Sequence, residues 1–95
     1  MFRLNFETPA DEYEYERKRN SSYSMLIDIM MDERPTPPES LKALVARMVG
    51  ESQALRDEAD GAARSGDYAT AINTLEQATR RLVQALRAGG LPIPE

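Results

Sequence analysis

Carboxylates are the most abundant groups in this 95-residue sequence that could take part in chemistry. There are 16 Asp and Glu against 12 Lys and Arg, and there is no His, Cys or Trp. Without His or Cys, neither a Ser–His nor a Cys–His nucleophile can be assembled. The usual nitrogen and sulfur ligands of zinc, copper and haem are missing too. A di-iron or di-manganese site in a helical bundle needs Glu-x-x-His and is excluded for the same reason.

The remaining patterns do not predict a calcium site, a Ser–Lys catalytic pair or a phosphate loop either. Asp57-Glu58-Ala59-Asp60-Gly61 is similar to part of a calcium loop, but Arg56 would then occupy the first ligand position. A Ser–Lys pair would have to use Lys18 or Lys42, and neither lies in a suggestive motif. No glycine-rich phosphate loop is present. The sequence therefore predicts a protein that is not an enzyme, with no metal, no cofactor and no small-molecule substrate.

Local signals divide the chain into helices. Thr8 and Thr36 each precede a proline and an acidic residue, which is typical of a helix start. Gly66 marks a tight turn, and Gly89, in the left-handed conformation, ends the last helix before Leu91 folds back. We predict an N-terminal arm over residues 1–8 and one helical domain over 9–95, with helices near 9–33, 37–65 and 67–88.

Apolar residues follow the helical period in the second and third helices. In the second helix they include Leu41, Val45, Met48, Ser52, Leu55, Ala59 and Ala62, and in the third Tyr68, Ile72, Leu75, Thr79, Leu82 and Leu86. The two stripes meet across the short turn at Gly66, as in an antiparallel helical hairpin. The predicted fold class is all-α: a three-helix antiparallel bundle built on this long hairpin.

The first helix has a shorter apolar face, made of Tyr23, Leu26, Ile27 and Met30, with Met31 beside it. We expect this second half to cover the hairpin. The first half is almost entirely polar, so we expect it to project or to contact another chain.

The N-terminal arm alternates apolar and polar residues, with Phe2, Leu4 and Phe6 on one side. Two interpretations remain open: a disordered terminus, or an arm that adds to a partner or to a second copy of the chain.

Charge is distributed unevenly along a chain whose net charge is -4. The third helix carries two acids and three bases and has a polar, basic stripe away from its apolar one. This stripe is either a solvated face or a docking surface for an acidic segment of a partner or of a second copy. Its residues are Asn73, Gln77, Arg80, Arg81, Gln84 and Arg87.

Nucleic acids and membranes are not the expected partners. The basic cluster Arg17-Lys18-Arg19 follows directly on an acidic run, which cancels the local positive field. No apolar run approaches the 20 or so residues of a membrane span, and none suits a signal peptide. The sequence thus predicts a soluble, cytoplasmic protein.

The stretch over residues 54–79 resembles a tetratricopeptide-type hairpin and the related hairpin of microtubule-interacting-and-transport (MIT) domains. Gly66-Asp67-Tyr68 matches the usual turn, and Ala59, Ala71 and Ala78 match the small residues where the two helices touch. Glu58 and Ala62 depart from the large apolar and aromatic residues common at their positions. The resemblance implies a role in protein interaction, because these families bind peptides or helices in grooves between helices.

Only one such hairpin is visible, and a single repeat cannot bury its own apolar face. This favours an MIT-like bundle or a homodimer over a repeat array. We predict a non-catalytic protein-interaction or adaptor module that associates with itself or with another protein. The alternative from the sequence is a small acidic inhibitor, similar to an antitoxin, that blocks a basic site on a larger partner.

Overall fold

A computed structural model describes residues 6–93, and within that range the chain forms three α-helices and no strand. They are α1 (Pro9–Asp32), α2 (Glu39–Arg64) and α3 (Tyr68–Ala88). Short connections over residues 33–38 and 65–67 make consecutive helices antiparallel. This confirms the all-α, three-helix antiparallel bundle predicted from the sequence.

The helix ends follow the capping signals in part. Thr8 Oγ1 accepts a hydrogen bond from the Asp11 N–H at 3.1 Å, as expected for an N-cap. The second helix begins at Glu39 with Pro38 as its N-cap and no side-chain cap, so the predicted capping role of Thr36 is wrong. At the end of α3 the left-handed residue is Gly90 (φ 97°) and not Gly89 (φ -79°). The Leu91 N–H still folds back on the Leu86 carbonyl at 3.0 Å, as a Schellman-type end requires.

The third helix is the central one and packs against both of the others. Its position explains why eight of its residues are buried and why both sides of its apolar stripe are covered. Contacts of Tyr13 with Tyr68, of Asn20 with Thr79 and of Arg34 with Gly89 show that α1 runs parallel to α3.

The core has two parts that differ in residue size. One lies where α1 ends and α2 begins, and its buried residues are Ile27, Met30, Val45, Met48, Leu82, Ala85 and Leu86. The other lies near the Gly66 turn, and its buried residues are Tyr13, Ala59, Ala71, Leu75 and Ala78. These alanines are fully buried, and their small side chains permit a close approach of α2 and α3.

The first half of α1 does not project, so that part of the prediction is wrong, whereas its contact with another chain stays a prediction. Tyr13, Glu16 and Asn20 are all buried: α2 and α3 supply hydrogen-bond partners for Tyr13 and Asn20, and Arg19 of the same helix supplies one for Glu16. The second half covers the hairpin as predicted, through Ile27 and Met30. Leu26, in contrast, was expected on this face and is 38% exposed.

Candidate functional site

An open groove of about 510 Å³ runs between α1 and α3. No residue of α2 lines it; the lining residues are Arg19, Glu76, Thr79, Arg80, Val83, Gln84 and Arg87. The helical period of α3 brings Glu76, Arg80, Val83 and Arg87 together, since their spacings of four, three and four residues keep them on one side. This side is adjacent to the apolar stripe, and the buried Thr79 lies at the boundary between the two.

Arg19 provides the α1 wall of the groove and is held by two neighbours. Its Nη1 lies 3.4 Å from Glu16 Oε2, and its guanidinium lies over the Tyr23 ring, 5.4 Å from the ring centre. Both contacts come from residues three or four positions away on the same helix. The guanidinium is thereby positioned at the groove instead of extending into solvent.

The groove has an acidic end and a basic end. Burial is the main cause that raises the pKa of the Glu16 carboxyl above its ordinary value. The charge of Arg19 opposes this shift, whereas the nearby charges of Glu76 and Glu12 add to it. Glu76 is the acidic residue among those that line the groove. Arg80 and Arg87 lie one and three turns further along α3.

Arg80 is the most available cation of the groove. It is exposed and, within residues 6–93, has no carboxylate within 4.0 Å, although Glu76 stands four residues before it. Arg87 also points to the groove, and its Nε donates to the Ile93 carbonyl at 2.8 Å. The C-terminal segment is therefore tied to the same surface.

The structure divides the basic stripe predicted from the sequence. Arg80, Gln84 and Arg87 line the groove, but Arg81 does not: its Nε contacts Glu51 Oε1 of α2 at 3.0 Å. One residue along a helix rotates the side chain by about 100°, which directs Arg81 away from the groove and toward α2. Asn73 is exposed and Gln77 is half-buried, and neither lines the groove.

The arm residues are described only from Phe6 onwards. The Phe6 ring is half-buried and packs on Tyr15, with ring centres 5.3 Å apart. Phe2 and Leu4, which the sequence placed on the same side of the N-terminal arm as Phe6, lie outside the described residues.

Arg19, Glu76, Thr79 and Val83 belong to the groove but were not among the predicted site residues. A signal for the α1 wall was present in the sequence. Residues 13, 16, 20, 23, 27 and 30 alternate at three and four positions, which is one continuous helix face. The polar residues in the first half of this stripe concealed it, because a search for apolar side chains stops at Tyr23.

A second recess of about 410 Å³ lies near the Gly66 turn. The Tyr13 hydroxyl donates to Asp60 Oδ1, and Arg17 Nε approaches the same oxygen at 3.4 Å. Burial and this hydrogen bond raise the pKa of Tyr13 to about 12. Arg17 Nε is buried and makes no well-aligned hydrogen bond, so its interaction with Asp60 is an ion pair. The hydrogen bond and the ion pair to Asp60 both join α1 to α2 of the hairpin.

Within residues 6–93, no three acidic side chains are grouped closely enough to hold a metal ion. In the same part of the chain, no helix is both long and apolar enough to cross a membrane. Comparisons with protein-family models, with curated proteins and with solved structures each gave no match. The resemblance of residues 54–79 to tetratricopeptide and MIT hairpins therefore stays a prediction.

Proposed function

We propose that the chain is a non-catalytic protein-interaction module whose groove between α1 and α3 receives an acidic segment of another protein. The observation that carries this proposal is the groove itself. Three arginines (Arg19, Arg80 and Arg87) line an open surface of about 510 Å³ that also includes the apolar side chain of Val83.

Charge supports an acidic ligand. The chain has a net charge of -4, so a surface with three arginines and one glutamate is a local exception to its overall field. Complementary charge accelerates association and selects the partner more than it adds affinity. A segment that carries Asp or Glu on one side and apolar residues on the other would match both Arg80 and Val83.

The direction of the segment follows from the polarity of the groove. Glu76 lies at the end near the Gly66 turn, and Arg80 and Arg87 lie toward the end of α3. The acidic residues of a bound segment therefore belong beside Arg80 and Arg87, and its apolar residues beside Val83 and Thr79. The resemblance of residues 54–79 to tetratricopeptide and MIT hairpins supports a role in protein interaction, because those families bind peptides or helices.

A designed peptide tests the proposal. The probe is a fluorescein-labelled 15-residue peptide with Leu and Glu at helical spacing, and a peptide with Lys in place of Glu is the charge control. We expect the Leu/Glu peptide to bind and to shift the amide NMR signals of α3 residues 76–87. Replacing Arg80 and Arg87 by alanine should weaken binding at least about 10-fold, the usual effect of losing charge-assisted contacts.

Arg81→Ala is the matched control, because it removes the same charge on the α2 side of α3 and should change affinity less than about twofold. Arg80→Ala alone should weaken binding as well. This single variant tests peptide binding alone, because it leaves intact the hydrogen bond by which Arg87 holds the Ile93 carbonyl. Equal losses in Arg81→Ala and Arg80→Ala would contradict the groove assignment. Preferential binding of the Leu/Lys peptide would instead support the acidic-inhibitor alternative.

A further inference from the structure

The face of α1 that points away from the hairpin carries an unusual order of side chains. Lys18, Met25 and Asp32 are spaced seven residues apart, so they lie on one line along the helix. At about 1.5 Å per residue, Lys18 and Asp32 each lie about 10.5 Å from Met25, in opposite directions. This line is thus basic at one end, apolar at Met25 and acidic at the other end, and the exposed Asp28 beside it adds to the acidic half.

This face has no partner within the described chain. Met25 is 64% exposed and Ile29, one turn further on, is 46% exposed. Lys18 and Asp32 are exposed, and within residues 6–93 neither side chain has an ion-pair partner within 4.0 Å. Large apolar side chains at such exposure commonly mark an interaction surface when they are contiguous.

We propose that this face of α1 binds the same face of a second copy, with the two α1 helices antiparallel and the twofold axis passing beside Met25. A twofold contact pairs each surface with itself, so it requires a self-complementary pattern. Equal distances from Met25 place Lys18 of each copy opposite Asp32 of the other. The same rotation packs Met25 of one copy against Met25 of the other and places Ile29 of each copy opposite Ser21 of the other.

The order of Lys18, Met25 and Asp32 along the helix favours a second copy of the chain over an unrelated partner. An apolar helix face by itself fits any amphipathic helix, but opposite charges at equal distances from the centre are what an antiparallel copy of the same helix requires. Met25 lies about 120° around α1 from Arg19, so this interface uses a different side of α1 from the groove and does not rest on the proposed function. One pair of helix faces lies at the small end of interface areas, and we expect a dimer with a dissociation constant in the micromolar range.

Light scattering and sedimentation on the full chain across a series from about 5 to 500 µM test the dimer. We expect the mass to rise from one chain to two over this range. Met25→Asp should keep the chain monomeric throughout, because it buries a charge at the twofold axis. Val49→Asp is the matched control, since Val49 is an exposed apolar residue on α2 and its replacement should leave dimerisation unchanged.

Charge exchange tests the register. Lys18→Glu and Asp32→Lys each create two like-charge pairs and should weaken dimerisation at least about 10-fold at low salt. The double variant should recover it, and a mixture of the two single variants should form a heterodimer. Circular dichroism checks that each variant keeps its helices. A wild-type chain that stays monomeric, a dimer insensitive to Met25→Asp, or a double variant as weak as the single ones would each overturn the proposal.

Discussion

The hydrogen bond between Asn20 and Thr79 offers the most direct test of how α1 is attached to the hairpin. Asn20 Nδ2 donates to Thr79 Oγ1 at 3.0 Å, and both residues are 1% exposed. Arg56 Nη1 of α2 contacts Asn20 Oδ1 at 3.4 Å, so this one amide joins all three helices. Removing either partner leaves a polar group of the other buried without its partner.

The cost follows from that burial. An unsatisfied buried polar group costs about 1–3 kcal/mol, and Asn20→Ala adds the loss of packed side-chain atoms. We expect Asn20→Ala to lower the free energy of unfolding by about 2–3 kcal/mol, and Thr79→Val to lower it by about 1–2 kcal/mol. Because both substitutions remove the same hydrogen bond, the double variant should lose about 1 kcal/mol less than the sum of the single losses.

Urea unfolding followed by circular dichroism measures these values. With a urea dependence of about 1–1.5 kcal/mol per M for a chain of this size, Asn20→Ala should lower the midpoint by about 2 M. Ser21→Ala is the control, because Ser21 is exposed and contacts Arg56 only at the surface. Strictly additive single losses, or a loss below about 0.5 kcal/mol for Asn20→Ala, would refute a docked first half of α1.

Three further outcomes follow from single positions. Gly50 is exposed inside α2 with no atom within 4 Å of a new Cβ, so Gly50→Ala should raise the free energy of unfolding by about 0.5–1 kcal/mol. A Cβ at Gly89 would overlap Met30 Sδ, so Gly89→Ala should lower it by about 1–2 kcal/mol, as thermal unfolding of the two variants will show. The raised pKa of the Glu16 carboxyl makes its ionised form unfavourable in the folded state, so the folded chain gains stability from this group as pH falls through that pKa. Glu16→Gln should therefore be more stable than the wild type at pH 7 and lose this advantage towards the ordinary pKa of 4.5; an unchanged difference across this range would contradict the assignment.

The two proposed surfaces use different sides of α1. The groove would bind an acidic segment, and the outer face would bind a second copy of the chain. Arg19 faces the groove shared with α3, whereas Met25 faces away from the hairpin. A second copy on the outer face would double the number of grooves per particle. Two weak sites held together bind a partner with two acidic segments more tightly than one site does, provided that the partner can span the distance.

The sequence by itself determined the three helices, the hairpin and the absence of Ser–His and Cys–His pairs. Spacings of three and four residues identified the stripes of α2 and α3 because apolar residues dominate them, as Leu75, Leu82 and Leu86 show. The zero counts of His and Cys excluded whole classes of chemistry without any structure. Thr8 also marked the start of α1 correctly, because capping is a local interaction.

Only the tertiary structure decided what each face meets. The helical period shows that Arg80 and Arg81 point in different directions. It does not show that Arg81 contacts Glu51 of α2 or that Arg80 lines an open groove. The burial of Tyr13 and Asn20 in the polar first half of α1 likewise depends on contacts that only the tertiary structure shows. Tyr13 and Asn20 are unfavourable in an apolar interior until Asp60 and Thr79 supply hydrogen bonds, and those partners lie 47 and 59 residues away in the chain.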